Sequence, residues 1–193
     1  MPSSSSHKTP MALRSIWTRI AHDRKRIGRF GLHLFAFATW IPVVSMFNDY
    51  VGELAWISGP SMYPFLNAEK DQTTRQDVVV NYKYRAQFGL RRGMIVTFWN
   101  PSNPELMTVK RIIGLEGDVV KTRNPYPVPT MRVPPGHIWV EGDGGERESR
   151  DSNDYGPIST GLIIGKVTHV LWPLHRSGRV RWWEFAENIR NQQ

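Results

Sequence analysis

The chain has 193 residues, of which 25 are basic and 17 acidic for a formal charge of +8, and it has no cysteine. That length allows one sizeable core, and the missing cysteine excludes a disulfide framework, thiolate-held zinc and a thiol nucleophile. The charge is unevenly placed: Lys8, Arg14, Arg19, Arg24, Lys25, Arg26 and Arg29 face only Asp23 in residues 1–29, so +6 of the +8 sits there. A nucleic-acid-binding face needs its cations clustered on the folded part, so the nearly neutral remainder argues against nucleic acid as a partner.

The first element is the basic segment 1–29. It opens on the Ser-rich "PSSSSHKTP" and continues with Leu13, Ile16, Trp17 and Ile20 at helical spacing between arginines. Basic, Ser-containing and poor in acids is the composition of a mitochondrial targeting segment, and an ordinary juxtamembrane anchor fits equally well. Next comes Phe30 to Phe47, 18 residues without a formal charge. That is close to the ~20 needed to cross a bilayer as a helix, so a transmembrane helix is expected over 30–48. His33 and Pro42 interrupt it, and a buried helix of a soluble fold is the competing reading. A cleaved secretory signal would have a shorter basic region and apolar core. With the cationic flank retained on the matrix side, the body lies across the membrane.

Beyond the span, "DVVVNYKY", "MIVTFW", "LMTVKRII", "GDVVKT", "HIWVEG" and "LIIGKVTHVLW" are short runs rich in β-branched and aromatic residues, cut by Gly, Pro and Asn. They predict a mainly β domain over 49–175, a coiled sheet or partly closed barrel. Lys121 to Gly136 is an irregular excursion, and Gly142 to Pro157 a long loop. Residues 176–193 form a C-terminal tail whose Trp182, Trp183 and Phe185 are expected to dock on the domain.

Chemistry enters at "WISGPSMYPFLN". Gly59-Pro60 before Ser61 and Pro64 after it exclude a regular helix, so the hydroxyl is presented on a stiff turn. An idle turn serine is the ordinary reading, and a nucleophile needs a base. His137, His169, His175 and the lysines are the candidates. Lys110 shares a strand face with Leu106, Thr108 and Ile112, while Arg111 shares the other with Met107, Val109 and Ile113. Two cations amid apolar residues read either as gatekeepers of an edge strand or as a lysine whose amine, desolvated in a pocket, is neutral enough to deprotonate a serine. The loop "GDGGERESRDSNDYGPIS" adds Ser149, Arg150, Asp151, Ser152 and Asn153, polar groups able to orient a lysine and brace a loop.

Together these segments closely resemble the type I signal peptidase family. "SGPSMYPFL" matches its nucleophile box, "VKRIIGLEGD" its lysine box and "EGDGGERESRDSNDYGPI" its last box, with "RRGMIVTFWNP" linking the first two. The resemblance covers about residues 50–175 and is strongest to the mitochondrial inner-membrane branch. It implies a signal-peptidase-like fold and a membrane-bound serine endopeptidase, with Ser61 the nucleophile, Lys110 the general base and Ser149 the hydroxyl orienting the lysine. Asp151 is implied to hold the loop against Arg111 or Arg150, and Met62 to help wall the substrate site. No metal or organic cofactor is implied. The implied partners are precursor proteins bearing N-terminal sorting peptides and a related peptidase subunit, on the intermembrane-space side of the mitochondrial inner membrane. Two departures stand out: Phe65 replaces the usual Thr, and Gly59 stands where many bacterial members carry an oxyanion-hole serine, which leaves the backbone N–H of Ser61 as that donor. A soluble self-cleaving regulator would need a DNA-binding domain in place of the apolar span. A catalytically silent partner subunit remains the alternative.

Overall fold

The computed structural model describes residues 35–68, 76–144 and 149–185. The basic segment 1–29 and the first residues of the expected span lie outside these. Within the span, residues 35–38 are helical, and a helix runs over Trp40–Tyr50 with no residue buried. Among the described residues no helix is long and apolar enough to cross a membrane.

The rest of the described chain is mainly β. Its strands are β1 (Gly52–Ile57), β2 (Asp77–Tyr82), β3 (Ile95–Asn100), β4 (Asn103–Gly114), β5 (Val119–Lys121), β6 (Thr130–Arg132), β7 (His137–Glu141), β8 (Ile158–Ser159), β9 (Ile163–Trp172) and β10 (Gly178–Arg179). One sheet has the order β1-β2-β9-β3-β4-β7-β8 with β10 paired to β9, and β5-β6 is a separate hairpin. The partly closed barrel is corrected here: the path ends at β1 and β8, and the sheet is not closed. Each expected run contains a strand. The excursion over Lys121 to Gly136 holds half of the β5-β6 hairpin. β1 was not expected, because Gly52–Ile57 reads as the continuation of the apolar segment before it.

Side-chain alternation divides the core. On β3, Ile95 enters a cluster with Ala55, Ile57, Met62, Leu66, Val79, Val167, Val170 and Val180. Val96 and Phe98 enter another with Ala86, Ile112, Ile138, Val140, Ile158 and Ile163. Strand β4 lies between β3 and β7, so it is no edge strand and the gatekeeper reading of its two cations fails. Its first five residues are exposed, and burial sets in toward Lys110, Arg111 and Ile112. Within residues 176–185, Val180 is core and Arg179 pairs with His169.

Candidate active site

The site starts where β1 ends. Gly59 adopts φ +85°, a left-handed conformation that costs a residue with a Cβ and costs glycine little. The chain then closes turns, Tyr63 N–H donating to the Pro60 carbonyl at 2.8 Å and Leu66 N–H to the Met62 carbonyl at 2.8 Å. Asn67 ends this stretch at φ 55°, a region asparagine tolerates better than most residues. Its side chain donates to the carbonyls of Ile57 (2.8 Å) and Gly59 (3.1 Å) and accepts from the Asp77 N–H at 2.9 Å. Its own N–H donates to Asp77 Oδ2 at 2.9 Å. One buried amide therefore ties both ends of the serine turn to the start of β2.

Ser61 is half-buried, and its carbonyl accepts from the Gly144 N–H at 3.0 Å. That contact explains Gly142. A Cβ there would stand 2.4 Å from the Ser61 carbonyl oxygen and 2.1 Å from Ser149 Oγ, so only glycine lets the last loop approach the serine turn this closely. Ser149 is buried and donates its hydroxyl to Asp151 Oδ2 at 2.9 Å. Asp151 also accepts from the N–H groups of Gly142 (3.0 Å) and Asn153 (3.0 Å) and from the Asn153 amide (3.0 Å). It caps the short helix Ser152–Tyr155 in a reciprocal box with Asp154.

The carboxylate of Asp151 is thus bound within the loop by Ser149, Gly142 and Asn153, and among the described residues no ion pair joins it to Arg111 or Arg150. Arg111 finds a different partner. Its Nε and Nη2 donate to the two oxygens of Asp143 at 2.8 and 2.5 Å, and Nη1 donates to the Gly93 carbonyl at 2.9 Å. Its guanidinium also lies 4.7 Å from the Phe65 ring centroid and 3.9 Å from that of Phe185. Met62 departs from expectation too: it is 1% exposed within the core cluster and is absent from the cleft wall, because the turn points it inward while Ser61 faces out.

A cleft of about 720 Å³ is lined by Ser61 and Lys110 together, with Trp56, Ser58, Leu106, Arg150, Asp154 and Tyr155 among the other walls. Lys110 is 2% exposed and makes no ion pair among the described residues. Burial lowers its pKa to about 8, a fall limited by the attraction of Asp151, Asp143 and Asp154. An amine so placed is a competent base near neutral pH. His137, His169 and His175 do not line this cleft. No hydrogen bond joins Ser61 Oγ to Lys110 Nζ among the described residues, and Ser149 bonds to Asp151 rather than to the lysine. Asn67, Asp77, Gly142 and Asp143 were not assigned roles from sequence. For Asp143 the signal was present, since it belongs to the Gly-Asp pair of the last box. A turn serine and a desolvated amine on one cleft, in an open β domain, make a site fit for nucleophilic acyl transfer.

Comparison with known proteins agrees with that class. The chain belongs to the signal peptidase family, peptidase S26, whose match covers residues 32–126 and so includes Ser61 and Lys110. It is similar to mitochondrial inner membrane protease subunit 2 of Schizosaccharomyces pombe, 40% identical over 159 residues that span 82% of this chain and 86% of the relative. Subunit 2 of the Saccharomyces cerevisiae protease is 42% identical over 142 residues, 72% of this chain and 79% of the relative. Subunit 1 of the Mus musculus protease is 40% identical over 136 residues, 69% and 77%.

Proposed function

We propose that this chain is a serine endopeptidase of the mitochondrial inner membrane that removes N-terminal sorting segments from proteins delivered to the intermembrane space. The observation that carries the proposal is the shared cleft: Ser61 and Lys110 both line it, and the lysine is buried with its pKa lowered to about 8. Ser61 Oγ attacks the scissile carbonyl while neutral Lys110 takes its proton. The same lysine then protonates the leaving amine, and water, deprotonated in turn, hydrolyses the acyl-enzyme. The Ser61 N–H is the backbone donor for the developing oxyanion. Ser149 has committed its hydrogen to Asp151, which leaves its oxygen lone pairs free to accept from the lysine and aim it.

The uncharged run Phe30 to Phe47 serves as the single membrane anchor, with residues 1–29 in the matrix and the β domain in the intermembrane space. The relatives are named as subunits 1 and 2 of one protease, which supports a hetero-oligomer with a related peptidase subunit. Ser61→Ala tests the reading. The detergent-solubilised variant should leave a precursor with its sorting segment uncut where the parent cuts it, and equal cutting by both would refute the assignment and favour a silent partner. Protease added to mitochondria with ruptured outer membranes should digest the β domain; protection matching a matrix marker would refute the topology.

A further inference from the structure

Resting on that peptidase reading, we propose that Arg176 and Phe185, in the C-terminal segment, are positioning residues of the active site, locking the turn that carries Ser61 to the strand that carries Lys110. Asn67 fixes both ends of the serine turn to β2, but the middle of the turn is held from elsewhere. The carbonyl of Phe65 accepts from Arg176 Nη2 at 2.5 Å, and Arg176 Nη1 reaches Asp77 Oδ2 at 3.4 Å. The Phe65 ring meets Phe185 edge to face, with centroids 5.2 Å apart and planes at 85°. The Arg111 guanidinium lies against both rings, 4.7 Å from the Phe65 centroid and 3.9 Å from that of Phe185.

Arg111 is the neighbour of Lys110 on β4, so whatever holds the arginine also holds the backbone of the base. Arg111 further grips Asp143, and one residue on, Gly144 donates to the Ser61 carbonyl. The contacts close a loop: Ser61 to Phe65 along the turn, Phe65 to Phe185 and Arg111, Arg111 to Asp143, and Gly144 back to Ser61. Phe185 touches the nucleophile turn and the base strand at once. Proton transfer between serine and lysine depends on their relative placement, where a displacement of about 1 Å can cost about a hundredfold in rate. The segment has its own footing in the fold, through β10 on β9 and Val180 in the core. Trimming the Phe185 ring therefore breaks its link between the serine turn and the base strand, and leaves Arg176 and that footing in place.

The test uses the full-length protein in detergent and an intermembrane-space precursor with its sorting segment, comparing Phe185→Ala, Phe185→Leu, Phe185→Tyr and the exposed neighbour Glu184→Ala. A positioning role predicts that the Ala and Leu variants lose about 5- to 100-fold in kcat, with KM within about twofold of the parent. The pH midpoint should stay in place, because Lys110 stays buried. Phe185→Tyr, which keeps the ring, should restore kcat, and Glu184→Ala should match the parent. Parental kcat in both the Ala and Leu variants would overturn the proposal, as would a loss that Tyr fails to restore. Ser61→Ala run beside them separates the two readings. If it is inactive while Phe185→Ala and Phe185→Leu match the parent, only the positioning role falls; if it is fully active, the peptidase reading falls and the positioning role with it.

Discussion

Lys110 and Arg111 stand next to each other on β4, each 2% exposed, and the fold treats them in opposite ways. On one face Arg111 has every means of compensation: two bonds to Asp143, one to the Gly93 carbonyl and two aromatic rings. On the other face Lys110 has no ion pair among the described residues, and desolvation lowers its pKa to about 8. Removing a charge from water costs several kcal/mol unless partners replace the solvent. A buried cation that is fully partnered is therefore architecture. One left short of partners on a cleft it shares with a turn serine is the pattern that marks a candidate functional group.

Activity offers the sharpest way to break that contrast. Lys110→Arg keeps the charge, yet guanidinium stays protonated at any working pH. Precursor turnover should fall by on the order of 10²–10⁴-fold, measured on protein shown to be folded and membrane-inserted; parental turnover would sink the dyad. Stability comes next. Arg111→Ala strands Asp143 and removes the cation packed against Phe65 and Phe185, so it should cost about 3–5 kcal/mol, read by urea unfolding in detergent.

The same measurement on Lys110→Met should move the other way. The folded pKa, about 8, lies below the ~10.4 of an unfolded lysine. Between those values the unfolded chain binds more protons, so parental stability rises with pH across that window and carries its full penalty below it. Lys110→Met should then stabilise by about 2–3 kcal/mol at pH 7, a gain that vanishes as pH climbs toward ~10.4. A destabilised Met variant would mean that the lysine has partners enough. In the parent, kcat/KM should rise about tenfold per pH unit below the lysine pKa and level off above it; a profile flat from pH 6 to 9 would exclude Lys110 as the base.

The smallest effect concerns a third buried polar group. Tyr155 lines the cleft, its hydroxyl is buried with no hydrogen-bond partner among the described residues, and burial together with Asp151 and Asp154 pushes its pKa upward. Tyr155→Phe removes the uncompensated group and should leave stability unchanged or raise it by about 1 kcal/mol. A clear fall in Tm would reveal a partner for the hydroxyl and weaken the rule drawn from β4.

Much of this was legible in the chain alone. β-branched residues between Gly and Pro breaks marked every strand of five or more residues except β1, since the strand period of two is written locally. Local pattern placed Ser61 on a non-helical turn and Lys110 on the face opposite Arg111, and only the resemblance to a known family raised them above an idle serine and a gatekeeper cation. The resemblance of the last loop to a known box pointed to Ser149 and Asp151, but not to the hydrogen bond between them. What lies across from each side chain was not legible. That Arg111 pairs with Asp143 rather than Asp151, that Met62 turns into the core, and that Phe185 closes on Phe65 are contacts between residues tens of positions apart. Local pattern states which way a side chain points, whereas the partner it meets is set by how the sheet brings distant loops together. The sequence could name two adjacent cations, but only the tertiary structure decided that Arg111 meets a carboxylate and two rings while Lys110 is buried on a cleft without an ion pair among the described residues.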